Sequence, residues 1–248
     1  MGKESIFKLS RVVLFLQWGS WLLGGMPLTA HGQDQSPQAS RLGIRSTADF
    51  EITGDGNSTA WAAAEWTSLT ARNGPRSYYQ SRVKLLYSEK GIYCLFSCQD
   101  NQITSTLKED FADLFKEDVV EIFFWPDETV PVYFEYELSP YGFELPILIP
   151  NLKGTFLGWR PWHYEGTRVT RRAARIMKNG NDVVSWTAEF FIPFALLNPL
   201  VMKAPQKGAR WRANMYRIDY DEGASHWSWQ PTRQNFHDFE KFGTIEFR

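Results

Sequence analysis

The chain has 248 residues, with 27 Lys and Arg against 28 Asp and Glu and a formal net charge of −1. A near-neutral total argues against a nucleic-acid-binding surface, and 43% hydrophobic with 22% charged residues argues against disorder. The unusual quantity is aromatic: 18 Phe, 11 Trp and 10 Tyr make up 16% of the chain, a composition that favours strands and broad flat contacts.

The N-terminus reads as an export signal. Lys3, Lys8 and Arg11 precede an apolar run over 12–28, and Ala30-His31-Gly32 puts small residues at the −3 and −1 positions of a cut before Gln33. Residues 1–32 are therefore expected to be a signal peptide, and the protein to be secreted, periplasmic or cell-surface. An uncleaved membrane anchor is the competing reading, since the run is close to the minimum length of a span; its Gly24-Gly25-Met26-Pro27 end disfavours that. No later run is long enough to cross a bilayer. Residues 33–40 read as a flexible lead-in, and 41–248 as one domain, with ample length for a core.

Strand signals follow in quick succession. Residues 82–89 alternate, Lys90-Gly91 turns, and 92–100 returns, which is a hairpin pattern. Residues 118–125 end at Pro126, and 132–139 end at Pro140 after a short acidic turn. A weaker strand over 168–177 meets Asn179-Gly180-Asn181, and 182–192, 210–220 and 243–248 complete the set. Helical periodicity is almost absent; 101–116 is the best short-helix candidate, and 193–198 could form one helical turn. The pattern predicts an all-β protein with few short helices, an antiparallel β-sandwich of the immunoglobulin or jelly-roll kind.

Period-two alternation assigns faces. Val120, Ile122 and Phe124 point one way and Val119, Glu121 and Phe123 the other. Phe134, Tyr136 and Leu138 share one face; Tyr133, Glu135 and Glu137 share its opposite. The first sets read as core, and the second as an open face of carboxylates and rings suited to a sugar, whose C–H faces stack and whose hydroxyls donate. Cys94 and Cys98 fall on one strand roughly 13 Å apart, too far to bridge, so they read as buried free thiols.

The order of these pieces resembles the carbohydrate-binding module family 9, in its family 9-like branch, over about residues 44–248. The pieces are Gly54-Asp55-Gly56 with Thr59-Ala60-Trp61; the hairpin from Val83 to Asp100; Glu117 to Phe124; Tyr133 to Pro140; Trp186 to Pro193; Gly208 with Trp211 to Arg217; Trp227-Ser228-Trp229; and Phe236-His237-Asp238 with Phe242-Gly243. The resemblance implies a sandwich that binds a monosaccharide, oligosaccharide or polysaccharide end and works beside a glycoside hydrolase in carbohydrate breakdown. It implies an aromatic clamp, two tryptophans in characterised members, at the positions of Phe115 and Phe236. The family glutamate is retained as Glu121, whereas a sugar-binding arginine falls on Glu135 and an asparagine on Arg233. It also implies structural calcium, for which Asp55 is a candidate ligand, and no essential cofactor.

Other residues join the candidate site on their own chemistry. Glu121 in an apolar strand must either pair with an arginine, Arg217 being the candidate, or face a polar groove. Trp159 and Trp162 belong to a loop-like cluster ending at His163, and exposed Trp is costly unless used. Two further classes compete. Glu135 and Glu137 could serve as the paired carboxylates of a glycosidase. The related DOMON-type domains hold haem through Met and His, for which Met177, Met202, Met215, His163, His226 and His237 are available.

Overall fold

A computed structural model describes residues 40–152, 155–162 and 164–248. The expected signal peptide, all of the lead-in except Ser40, and His163 lie outside the described residues. Among the described residues, fourteen strands follow in order: β1 (Arg41–Ser46), β2 (Thr67–Asn73), β3 (Ser81–Tyr87), β4 (Gly91–Gln99), β5 (Val119–Trp125), β6 (Val132–Leu138), β7 (Glu144–Leu152), β8 (Thr155–Phe156), β9 (Arg160–Pro161), β10 (Arg171–Asn179), β11 (Asp182–Pro193), β12 (Arg210–Asp219), β13 (Ser225–Ser228) and β14 (Gly243–Phe247). Among the described residues, no helix is long and apolar enough to cross a membrane.

The strands make two facing layers. One runs β10-β11-β4-β3, and the other β14-β12-β5-β6-β7, with β9 pairing β7. β1 joins the layers by pairing parallel with both β3 and β14, and β2 joins them through β3 and β13. The fold is thus an all-β sandwich, antiparallel except where β1 takes part. The interior between the layers holds Val120, Ile122 and Phe124 of β5, Phe134, Tyr136 and Leu138 of β6, and facing residues of β4 and β11 such as Phe96 and Phe190. Alternation had assigned these side chains to the core. Cys94 and Cys98 are free and fully buried in the same cluster.

Two expectations fail for local reasons. Residues 101–116 form no helix beyond a single 3-10 turn at Leu114–Lys116. Side chains take the backbone groups a helix would use: Thr104 N–H donates to Asp118, Leu107 N–H donates to Glu117 at 2.9 Å, and Phe111 adopts φ +66°. Of residues 193–198, Pro193 ends β11 and 194–198 are turn rather than helix. Strand β7 was not anticipated; it carries Pro146 and Pro150, which lack N–H donors. It lies near the sheet edge, flanked on its outer side only by the two-residue strands β8 and β9, where missing N–H donors are tolerated.

The Gly54-Asp55-Gly56 segment is a structural lock on the outer face of β11. Fully buried Glu189 accepts from Thr53 N–H at 3.0 Å, Gly54 N–H at 2.7 Å and the Trp61 indole N–H at 2.7 Å. Gly54 and Gly56 sit at positive φ, and a Cβ on Gly54 would lie 2.9 Å from that of Ala173. Replacing Glu189 strands several buried donors at once. Glu189→Ala is expected to lower unfolding free energy by about 3 kcal/mol or more, read by urea denaturation; a loss within about 0.5 kcal/mol contradicts the lock.

Candidate functional site

The outer face of β5 and β6 was expected to be open, and it is not. Segments preceding β5 and β14 fold over it, and Leu114, Phe236, Phe239 and Phe242 pack onto Phe123, Tyr133 and Tyr216. The reason is local sequence: once Asp118 and Glu117 bind the backbone of 104–107, that segment is held against the sheet. The roof leaves a cavity of about 430 Å³.

One wall of the cavity is acidic. Glu121 of β5 stands directly across from Glu137 of β6, and Glu135 follows on the same face two residues away. One carboxyl oxygen from each lies within 4.8 Å of the others. Their exposures are 2%, 4% and 0% for Glu121, Glu135 and Glu137. Burial pushes Glu135 up to about 8. Burial, reinforced by the neighbouring carboxyls, raises Glu121 and Glu137 well above the usual range. Near neutral pH these groups hold protons, so the wall can both accept hydrogen bonds from hydroxyls and donate to them.

The rest of the lining is aromatic or neutral. Phe115, Phe156, Trp159 and Phe236 border the space with Ile147 and Ile218. The ring of His237 lies 4.2 Å from that of Phe156 and 5.5 Å from that of Phe123. Its Nδ1 sits 2.7 Å from the Tyr133 hydroxyl, and burial lowers it to about 4. His226 is also held below its usual value by burial and by Arg72. Among the described residues, Arg72 is the one cationic lining residue. It donates to the Thr232 carbonyl at 2.8 Å, and its guanidinium lies 5.7 Å from the Phe236 ring centre.

Two tyrosines fix the backbone beneath the candidate clamp rings. Tyr216 O–H donates to the Phe236 carbonyl and Tyr220 O–H to the Phe115 carbonyl, both at 2.8 Å. Tyr216 also stacks its ring on Phe236, with centroids 4.0 Å apart.

Of the residues singled out in the sequence, Phe115, Glu121, Glu135, Trp159 and Phe236 meet at this cavity. Three do not. Trp162 packs against the inter-layer core and donates its indole N–H to the Leu196 carbonyl at 2.6 Å. Arg233 is exposed and pairs with Asp238 at 2.8 Å and Glu240 at 2.7 Å. Arg217 is fully buried on the opposite face of β12 from Tyr216, so it cannot pair with Glu121; it pairs with Asp100 at 2.9 Å and Asp219 at 2.6 Å. The sequence reading passed over Arg72, Phe156 and the cavity role of His237. His237 follows Phe236 directly, and that adjacency carried the missing signal; Glu137, which alternation had placed on this face with Glu135, also lines the cavity.

The implied metal and haem fit poorly with the residues named for them. Asp55 is exposed and takes the Thr53 hydroxyl at 2.5 Å and the Asn57 amide at 3.0 Å. Among the described residues, the groups able to surround an ion are Asp100 with Asp219 and Asp221, and the three cavity glutamates; neither includes Asp55. In the first group Arg217 already supplies the positive charge. His226 and His237 line the cavity without any methionine, while Met215 is buried between the layers and Met202 is 72% exposed.

A raised carboxyl makes stability fall with rising pH. The folded state keeps protons that the unfolded chain releases above about pH 4.5, so stability is greatest below that value and is lost as pH climbs through about 8 for Glu135. Thermal unfolding of wild type is expected to shift downward between pH 5 and 8. Glu135→Gln and Glu137→Gln should each flatten that slope and raise the midpoint at pH 8 by about 2–4 °C. An unchanged slope in both variants contradicts the charge assignment.

Comparison with known proteins bears on the family and the fold. A family model described as carbohydrate family 9 binding domain-like matches residues 52–248. No curated protein matches the chain in sequence. Among solved structures, a Bacteroides uniformis ATCC 8492 protein whose description proposes carbohydrate binding superposes with a TM-score of 0.70 at 15% identity, covering 85% of this chain and 100% of its own. A carbohydrate binding module family 9 from Caldicellulosiruptor kristjanssonii in complex with cellotriose gives 0.62 at 14% identity, covering 84% and 94%. A module of that family and organism with glucose gives 0.61 at 14%, covering 84% and 96%. At such identities the likeness is one of fold, and it is the match over 52–248 that shows the family: the chain belongs to the carbohydrate family 9 binding domain-like proteins.

Proposed function

We propose that the protein binds a sugar, as a monosaccharide or the end of an oligosaccharide or polysaccharide, in the cavity beneath the roof of β5, β6 and β12. The observation that carries this reading is that Phe115 and Phe236, far apart in sequence, border one cavity with Glu121. Rings offer flat apolar faces to sugar C–H groups, worth about 1 kcal/mol beyond area burial. Glu121 orients hydroxyls by hydrogen bonding. Trp159 extends the aromatic border, and Arg72 with Gln234 and Asn235 supplies polar contacts at the rim. A cavity of about 430 Å³ is within the size range of small-ligand sites. The related modules described with cellotriose and glucose support a gluco-configured ligand.

The reading extends to setting. Residues 1–32 direct export, and the domain serves carbohydrate breakdown by holding substrate near a glycoside hydrolase. N-terminal sequencing of exported protein is expected to begin at Gln33; retention of Met1 overturns cleavage. For binding, titration calorimetry of the full chain against glucose, cello-oligosaccharides and xylo-oligosaccharides should show saturable heat. Phe115→Ala and Phe236→Ala should each weaken the best ligand about tenfold, with folding checked by circular dichroism. Absence of heat with every sugar, or wild-type affinity in both folded variants, refutes the proposal.

A further inference from the structure

Among the described residues, the polar groups around the cavity are unevenly partnered: three crowded carboxyls face it, and its one guanidinium, that of Arg72, gives its hydrogen bond to Thr232. His226 and His237 are neutral near pH 7, and Tyr220 is committed to the Phe115 carbonyl. Glu137 is fully buried and aimed into this space, yet neither of its oxygens meets a well-formed hydrogen bond; the Glu135 carboxyl and the Phe115 amide are polar neighbours in poor geometry. Glu135 Oε2 is unsatisfied too, with His237 Nδ1 3.8 Å away. Crowded buried carboxyls without well-formed partners are costly, and a ligand able to supply donors relieves that cost.

The number and spacing of acceptors define those donors. A hydroxyl brings one proton, whereas a primary ammonium brings three and a positive charge. An atom about 2.8 Å from each of three oxygens allows them to be up to about 4.8 Å apart, and the three glutamate oxygens lie within 4.8 Å of one another. A hard divalent cation also fits that spacing, but calcium takes six to eight oxygens, and the remaining wall is largely Phe115, Ile147, Phe156, Trp159, Ile218 and Phe236. Rings facing a carboxylate triad suit a molecule with an apolar ring face and one ammonium.

We propose that the cavity takes a sugar bearing a free primary amine, its ammonium seated among Glu121, Glu135 and Glu137 and its ring face against Phe115 and Phe236. This deepens the sugar-binding reading and rests on it. The crowded carboxyls, protonated without a ligand, release protons to solvent as the ammonium seats and then accept it in charge-assisted hydrogen bonds, which are the stronger kind. A neutral sugar in the same place meets the carboxyls in their protonated form, through weaker neutral hydrogen bonds.

Three β-1,4-linked trimers of one ring configuration differ only at the second carbon: the glucosamine trimer, its fully N-acetylated form and cellotriose. Calorimetry of the full chain at pH 6.5 should give the free-amine trimer at least tenfold tighter binding than either neutral trimer. In Glu137→Gln and Glu135→Gln that ratio should fall below threefold, and melting curves establish that both variants fold. Neutral trimers binding as tightly as the amine, or a ratio that survives both substitutions, overturns the inference while leaving sugar binding intact. Absence of heat with all three trimers, glucose and the xylo-oligosaccharides overturns both. Two further arms guard the assignment: putrescine matching the amine trimer would mean charge alone is read, and glutamate-dependent saturable binding of calcium chloride that abolishes the trimer ratio would assign the triad to a metal. Either result overturns the proposal.

Discussion

Alternation along β5 and β6 decides what becomes core and what becomes site. Each step of one residue reverses the side-chain direction, so Ile122 enters the inter-layer core while Glu121 turns to the other face. The two strands pair with Glu121 opposite Glu137 and Phe124 opposite Phe134. A slip of one residue would put carboxyls between the layers and Phe124 in the cavity. The apolar set on the inner face therefore fixes the register, and the register places three carboxyls side by side. The site inherits its geometry from the packing of the opposite side of the same strands.

Two acidic regions of the interior are resolved in different ways. Around Arg217, the carboxylates of Asp100 and Asp219 share one fully buried guanidinium, which also donates to the Gln99 carbonyl at 2.6 Å. Burial still pushes Asp100 up to about 7 against the opposing pull of Arg217. That arrangement is nearly complete within the chain, and it ties β12 to the end of β4. Among the described residues the glutamate triad has no such partner, although it is equally buried. Breaking a buried pair is far more costly than surface pairing suggests, so a chain that balances one acidic region and leaves another unbalanced marks the second as the place where external donors enter.

Much of this was legible in the sequence, and the unread parts share a cause. The strands β3 to β6, β11 and β12 announce themselves because half-buried sheets impose a two-residue repeat. The faces of β5 and β6 follow from the same repeat, and Phe115, Glu121 and Phe236 from the ordered motifs around it. What was hidden depends on side chains meeting backbone over long separations. Segment 101–116 has apolar spacing that a helix could use, but Asp118 and Glu117 reclaim its N–H groups. Strand β7 carries Pro146 and Pro150, and its tolerance for them comes from its place near the sheet edge. Arg217 seemed available to Glu121 until strand parity on β12 sent it to the other side. Parallel pairing of β1 with both β3 and β14 leaves no local trace at all.

The roof over the site is irregular chain, yet its key points are held as firmly as strand. Loops generally move more than the elements they join, and ordering them on binding would subtract from affinity. Here β12 and the residue just beyond it supply two hydroxyls, from Tyr216 and Tyr220, that bond the carbonyls of Phe236 and Phe115. Asn214 on the same strand adds a reciprocal pair with Gln230, accepting its N–H at 2.9 Å and donating to its carbonyl at 3.0 Å. One strand thus positions both candidate rings from below. Phenylalanine has a smaller face than tryptophan and no N–H to direct, so what the rings lack in area has to come from being already in place. The aromatic excess of the sequence divides accordingly: most rings, Phe96 and Phe190 among them, fill the interior, a few border the cavity, and Tyr216 and Tyr220 use their hydroxyls to hold those few where a ligand meets them.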